Sequence, residues 1–532
     1  MRLTNESLKN YAFWDKAGIS LPKFDRNAMI AATKTSPKWL HFGAGNIFRA
    51  FPAALAQSLL EQKIEKSGIV VTVRYDKETI NACFAKYDNL NLLVTLKSDG
   101  STDKKVIASV ASYIGMDCDR EELNNIFANP SLQMVSFTIT EKGYNLTGKD
   151  GVFLPDIAED LSAGPASAKS FAGRVAALCY ERFRRGAHPL ALVSMDNCSH
   201  NGDRLFAITE TFAKNWIEKG KAEPLFLGYV RNPKKLSFPW TMIDKITPGP
   251  DSGVREMLTG LGLEDMESAA AVKSTPIAPF VNAEEKEYLV MEDAFPNGRP
   301  ALEKTGVLFA DRETVDKVEK MKVGTCLNPI HTALAVYGCL LGFTRMNKTI
   351  KDPDLAKLVK GVGYIEGLPV VVNPGIIDPK TFINEVINVR IPNPFLPDSP
   401  QRIATDSSQK IPVRFGGTLT ALQESGRKLG DLTYIPLIFA GWLRYLLGID
   451  DEGNNFTPSP DPLLESLKAA LAGIVLGEAN SELIHSRLES ILSNPSLFGL
   501  NLYEAGLGKK VEEYFTRLIA GPGAVRKVLS AL

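Results

Sequence analysis

Residues 39–42, Trp-Leu-His-Phe, form a short apolar stretch that runs without a break into Gly43-Ala44-Gly45-Asn46-Ile47-Phe48-Arg49. A helix-periodic run at 50–62 follows, and then the β-branched run Ile-Val-Val-Thr-Val-Arg at 69–74. That order reads as strand, glycine turn, helix and buried parallel strand. A glycine turn at a helix N-terminus lets backbone amides approach a pyrophosphate, and the helix dipole adds a favourable field. The third glycine of the usual G-x-G-x-x-G pattern is replaced by Phe48. Asp76, just past the second strand, is placed to accept hydrogen bonds from an adenosine ribose, which favours NAD. Arg74 and Lys77 beside it suit a 2′-phosphate, so NADP stays open. The candidate dinucleotide contacts in this unit are Gly43, Gly45, Asn46, Ile47, Phe48, Arg49 and Asp76.

Further strands are predicted at 92–96, 106–109, 134–140 and 189–194, with an amphipathic helix at 168–184. Ligands of open α/β sheets sit at the carboxyl ends of strands. Thr140, Glu141 and Lys142 therefore lie where a nicotinamide is expected. The same argument applies to the polar cluster at 195–202, which holds Asp196, Asn197 and His200. Residues 289–293 read as a final strand and 295–300 as a linker, which divides the chain into an α/β part at 1–296 and a mainly α-helical part at 297–532. Helical periodicity marks 312–321, 331–343, 354–359, 418–423, 437–447 and segments from 463 to 532. The stretch 402–414 reads as a break in that pattern. Its three cations, Arg402, Lys410 and Arg414, make it a candidate anion-binding edge.

One segment of the second half concentrates chemistry. Residues 318–343 gather Glu319, Lys322, Asn328 and His331 and then continue almost wholly apolar, as a buried helix does. A lysine becomes a general base if burial lowers its pKa. An asparagine amide can donate to a developing alkoxide, and an imidazole can hold a hydroxyl. The same residues also read as a helix start, with Asn328 as cap and Pro329 at the first helical position.

A chain of 532 residues implies two to four folding units. Its 61 basic and 61 acidic residues balance, so no global field draws it to nucleic acid or to an anionic membrane, and an anionic substrate must be met locally. Six cysteines without C-x-x-C spacing fit a reducing compartment and no zinc site. The N-terminus lacks the order of a secretory signal and no run reaches the length of a membrane span, so the expected location is cytoplasmic.

Several separated segments together resemble one family, the polyol-specific long-chain dehydrogenases that include mannitol dehydrogenases and hexuronate reductases. They are HFGAGNIFRA at 41–50, TITEKGY at 138–144, SMDNCSHNG at 194–202, MIDKITP at 242–248 and EDAFPNGRP at 292–300. EKMK at 319–322 with LNPIHTAL at 327–334, and RIATDSSQKIPVR at 402–414, continue the series. The resemblance implies a Rossmann-type N-terminal domain, a mainly α-helical C-terminal domain, a cleft between them and metal-independent hydride transfer with NAD. It makes Lys322 the general base, Asn197 and Asn328 the amides on the carbonyl oxygen, His331 a substrate-hydroxyl contact and Glu319 a proton-passage carboxylate. Asp244, Arg402 and Lys410 fall on the substrate side, with Lys142 as a further carboxylate contact. Gly43, Gly45, Asp76, Thr140, Glu141 and Asp196 fall on the cofactor side. No metal is implied. The segment at 140–144 resembles the hexuronate reductase branch, so the expected reaction interconverts D-fructuronate and D-mannonate. Tagaturonate, mannitol and arabinitol are the alternatives in the same class, and a non-catalytic nucleotide sensor is the alternative in another. The expected partner is a small sugar acid or polyol, and the expected state a monomer or weak homo-oligomer.

The family places five steps between its lysine and the first amide, whereas Lys322 and Asn328 are six apart. At about 100° per residue the extra position rotates a side chain far from its mark. Lys322 can serve only if the helix bulges or begins near Asn328, which Gly324 and Pro329 favour.

Overall fold

A computed structural model of the chain describes residues 1–272 and 275–532. Its contacts divide it into two compact units, Met1–Lys97 with Ser101–Asp316, and Ser98–Gly100 with Lys317–Leu532. The division follows Asp316, whereas the sequence placed it at Pro296. The added strand Leu308–Ala310, which pairs in parallel with Tyr288–Glu292, holds the intervening residues in the first unit.

The first unit is built on six strands: β1 (Trp39–Phe42), β2 (Ile69–Val73), β3 (Val110–Gly115), β4 (Met134–Phe137), β5 (Leu190–Ser194) and β6 (Leu236–Ser237). All neighbours are parallel, in the order β3-β2-β1-β4-β5-β6. This is the doubly wound dinucleotide-binding order, whose direction reverses between β1 and β4. Both faces are buried, as parallel sheets require. Trp39, Ile69, Val71, Met134 and Val193 alternate onto one face, against Phe48 of α1 (Asn46–Ala50) and Leu55 and Leu59 of α2 (Pro52–Glu61). Leu40, Phe42, Val70, Val135 and Leu192 point to the other. There they meet Leu123 and Phe127 of α3 (Arg120–Ala128), Val175 of α4 (Phe171–Arg184), and Phe212 and Trp216 of α5 (Asn201–Glu218). Each such side chain, fully buried, contributes about 1.5–3 kcal/mol.

Two predicted strands lie elsewhere. Asn91–Leu96 and Thr102–Ile107 pair with each other antiparallel, in a separate four-stranded sheet completed by Ile19–Ser20 and Phe280–Glu284. The predicted final strand is likewise not final, because Tyr288–Glu292 sits between Thr241–Asp244 and Leu308–Ala310 in a three-stranded sheet.

The second unit is helical. Here α6 (Arg312–Met321) carries the chain out of the first unit, and α7 (Asn328–Leu340), α8 (Ser407–Glu424) and α9 (Tyr434–Leu446) form the frame. Both α7 and α9 are buried almost all round, as their apolar sequences dictate. The Tyr337 hydroxyl donates to the Leu437 carbonyl at 2.7 Å, and Gly441 leaves room for the Tyr337 ring, which an added Cβ would meet at 2.5 Å. The stretch 402–414 is not a break. It belongs to the helix Pro400–Ala404, capped by the Ser399 hydroxyl, and to α8, the two separated by Asp406 at φ 54°. Three π-helical segments interrupt this unit: Lys322–Cys326, Gly361–Gly367 and Val386–Arg390.

Candidate active site

The carboxyl end of β1 is where the first unit's sheet reverses direction. Gly43 there adopts φ +108°, and its amide donates to the Thr72 carbonyl at the end of β2 (3.0 Å). A Cβ at this position would stand 2.3 Å from the Thr138 carbonyl oxygen, so only glycine lets the turn pass between β2 and β4. Gly45 caps α1 at φ −69°, exposed, and a Cβ there would meet nothing within 4 Å. That open space in front of free helix-start amides fits a dinucleotide phosphate. Asp76, at the carboxyl end of β2, is exposed and caps the next helix by accepting from the Thr79 amide at 2.8 Å, which holds its carboxyl below the usual range. Its position fits a ribose contact.

Other predicted cofactor residues turn inward. Phe48 is fully buried and stacks on His41 at 4.0 Å between centroids. The buried Arg49 guanidinium donates to the Ala278 carbonyl (2.6 Å) and the Asn46 side-chain oxygen (2.9 Å), while Asn46 Nδ2 donates to the Pro248 carbonyl (2.8 Å). These side chains fasten α1 to the segments before and after residue 272, and Ile47 packs on the same core. Sequence reasoning missed His41, whose Nδ1 and Nε2 lie 2.6 Å from Ser136 Oγ and 2.9 Å from Thr138 Oγ1. Burial pushes its pKa well below 6.5.

The ends of β4 and β5 are held together by Asp196. Its carboxylate accepts from the amides of Ile139 (2.9 Å) and Thr140 (3.0 Å) and from the Tyr144 hydroxyl (2.6 Å). Desolvation raises its pKa against the pull of these three donors. Thr140 stands at φ 65°, ψ 158°, a conformation that costs a β-branched residue about 1–3 kcal/mol unless its surroundings impose it. Asp196 imposes it. Glu141 and Lys142 follow on the surface, with Glu141 paired to Arg204 at 2.8 Å. Asn197 is exposed directly after Asp196. A second residue missed from sequence, the fully buried Asn201, donates from Nδ2 to the carbonyls of Ser194, Asp196 and Thr241 and accepts from the Thr241 amide. It joins β5 to the strand Thr241–Asp244, at whose end Asp244 lies buried. His200 stacks on Trp240 at 4.0 Å and pairs with Asp316 at 3.2 Å.

In the second unit, Glu319 is half-buried on α6 and Lys320 is exposed, whereas Lys322 is only 2 % exposed. Lys322 opens the π segment. The Leu327 amide donates to its carbonyl five residues back at 3.1 Å, and α7 begins afresh at Asn328 with Pro329 in its first turn. Residues Lys322–Cys326 form a wide turn, and the half-buried Asn328 and His331 follow on regular helix. The Thr418 hydroxyl donates to the Gly324 carbonyl at 2.8 Å, satisfying an acceptor that the wide turn leaves over. Arg402 is exposed and paired with Asp398. Lys410, half-buried, donates to the carbonyls of Ile403 and Thr405, and desolvation, with Arg414 second, lowers its pKa.

The Mannitol dehydrogenase Rossmann domain matches residues 37–304, and the Mannitol dehydrogenase C-terminal domain matches residues 314–518. The chain belongs to the mannitol dehydrogenase family. Membership accounts for the doubly wound sheet followed by a helical unit and makes the chain a dehydrogenase. A D-mannonate oxidoreductase of Thermotoga maritima is 51% identical over 99% of this chain and 98% of its own length. Pseudomonas fluorescens mannitol 2-dehydrogenase, solved as a ternary complex with NAD and D-mannitol, superposes with TM-score 0.72 at 26% identity, covering 100% of this chain and 99% of that one. A substrate-free D-sorbitol dehydrogenase shares the fold with TM-score 0.81 at 24% identity, covering 99% and 100%. Among the described residues no helix is long and apolar enough to cross a membrane.

Proposed function

We propose that this member of the mannitol dehydrogenase family is a cytoplasmic, NAD-dependent oxidoreductase that interconverts D-fructuronate and D-mannonate. The observation that carries the reading is the full-length likeness to a D-mannonate oxidoreductase at 51% identity. The open phosphate cradle before Gly45 and the exposed Asp76 support the dinucleotide, as does the NAD in the mannitol dehydrogenase complex. Bound NAD or NADH supplies the hydride chemistry at the substrate carbon.

The chain's own residues handle the proton and the developing charge. Lys322 takes the hydroxyl proton on oxidation and returns it on reduction, without a metal ion. A lysine ordinarily titrates near about 10.4, and burial destabilises its charged form, which suits a base working near neutrality. The Asn328 amide donates to the oxygen as it becomes an alkoxide. Each preorganised donor of this kind is worth about 3 kcal/mol. His331 holds a neighbouring hydroxyl, and Glu319, three residues before the base, passes the proton toward solvent. Asp244, Arg402, Lys410 and Lys142 belong to the substrate side.

A nicotinamide absorbance assay of the full chain with D-mannonate, altronate, D-mannitol and D-arabinitol tests the reading. Turnover dominated by D-mannonate is expected. Turnover confined to neutral polyols would remove the sugar-acid assignment, and dinucleotide binding with no turnover on any of the four would remove the enzyme.

A further inference from the structure

Lys410, Arg414 and Thr418 recur every four residues on α8 and so share one face. That face lies against the segment opened by Lys322 and against the start of α7. Thr418 bonds the Gly324 carbonyl at 2.8 Å, and Arg414 Nη1 donates to Thr332 Oγ1 at 2.7 Å. The Thr332 hydroxyl lies 3.0 Å from the Asn328 carbonyl, so the Arg414 guanidinium stands beside the helical turn that carries Asn328 and His331.

A guanidinium has five N–H donors, and a buried one needs acceptors for them. Two fully buried arginines of this chain have them. Arg182 donates to the carbonyls of Phe127, Asn129, Leu132, His188 and Pro189, and Arg444 to those of Leu518, Ile449 and Asp450. Arg414, half-buried, is different. Among the described residues its hydrogen-bond partner is one neutral hydroxyl, and no carboxylate pairs with it. Burial alone, unopposed by any charge, pushes its pKa down to about 10. The neighbouring cations are already engaged, Arg402 by Asp398 and Lys410 by two carbonyls.

We propose that Arg414 receives the carboxylate of the sugar acid, through the planar two-pronged geometry that guanidinium and carboxylate share, and thereby sets the preference for acids over neutral polyols. This rests on the oxidoreductase reading above and places the specificity on α8 instead of on Lys142 or Arg402.

The test is steady-state kinetics and thermal unfolding of the full-length wild type and its Arg414→Gln and Arg414→Lys variants, with D-mannonate as ligand and NAD as cofactor. For Arg414→Gln the KM for D-mannonate should rise about 100-fold, with kcat changed far less, as expected for a charge-assisted bidentate contact made equally in ground and transition states. Arg414→Lys keeps the charge and loses the fork, so its KM should rise about 10-fold. It carries the test alone if the glutamine variant does not fold. D-Mannonate should raise the unfolding temperature of the wild type and not that of Arg414→Gln. A KM unchanged in the glutamine variant, or in the lysine variant when only that one folds, overturns the assignment while leaving the enzyme reading intact. A wild type that turns over no sugar acid or polyol, yet is stabilised by D-mannonate through Arg414, overturns the enzyme reading alone. No stabilisation and no turnover overturns both.

Discussion

The Leu327 amide reaches back five residues to the Lys322 carbonyl at 3.1 Å, one residue further than an α-helical bond. The proposed role of Lys322 as base relies on this wide turn, which sets a buried lysine just before the helix that starts at Asn328. Lys322→Ala is expected to lower kcat about 10²–10⁴-fold, the usual worth of general acid–base catalysis. Lys322→Arg should be no better, because a guanidinium does not deprotonate at working pH. Single-turnover reduction of NAD with D-mannonate measures both, and a kcat near wild type in either variant would show that the base lies elsewhere.

The two glycines of the β1 turn should respond differently to alanine. Gly43→Ala forces a Cβ onto the Thr138 carbonyl at positive φ and is expected to cost about 2–4 kcal/mol in urea unfolding. Gly45→Ala has room and an ordinary φ, so stability should stay within about 0.5 kcal/mol. Its methyl group occupies the cradle instead, and the KM for NAD should rise about 10-fold. Equal loss of stability in both variants would contradict this division.

Asp196→Ala removes the acceptor for two strained-loop amides and the Tyr144 hydroxyl at once. A loss of about 3 kcal/mol is expected, with the 139–144 loop opening to hydrogen exchange. Tyr144→Phe removes one of the three donors and should cost about 1 kcal/mol. Exchange at Ile139 and Thr140 as slow as in the wild type would show that the loop does not depend on the carboxylate.

His41 is buried neutral, with a folded pKa well below its unfolded value of 6.5. Below 6.5 the unfolded chain binds a proton that the folded chain does not, so its stability contribution is complete above 6.5 and declines as pH falls. The slope should approach about 1.4 kcal/mol per pH unit. His41→Gln should show a shallower fall in urea-unfolding free energy between about pH 5 and 6.5. An unchanged slope would mean that other groups dominate this range.

The parallel sheet was legible because strands buried on both faces give unbroken apolar, β-branched runs such as Ile69–Val73, and because the glycine turn marks where a helix begins. The strand Val110–Gly115 was not. The chain passes from one sheet to another at Ser109 with neither glycine nor proline, and the Ser109 carbonyl already accepts from the Ile69 amide. Polar content and Pro412 disguised the first half of α8, whose apolar residues Ile411 and Phe415 stand among Ser407, Ser408, Gln409, Lys410 and Arg414. Among the candidate residues, Lys322, Asn328 and His331 stood out as polar groups entering an apolar helix. His41, Asp196 as a clamp, and Asn201 did not, because their partners Ser136, Thr138, Ile139, Thr140 and Thr241 are distant in sequence and ordinary in type.

The strand Phe280–Glu284 pairs with Asn91–Leu96, nearly two hundred residues upstream. During synthesis the apolar edge formed by Leu92, Val94 and Leu96 must therefore wait, unpaired, until residue 284 has left the ribosome. At about 5–20 residues per second that exposure lasts on the order of ten seconds or more. Truncations ending before Phe280 leave the edge permanently open to pairing with another nascent chain, so the vulnerable product of this gene is an incomplete first unit, well before the second unit has been made.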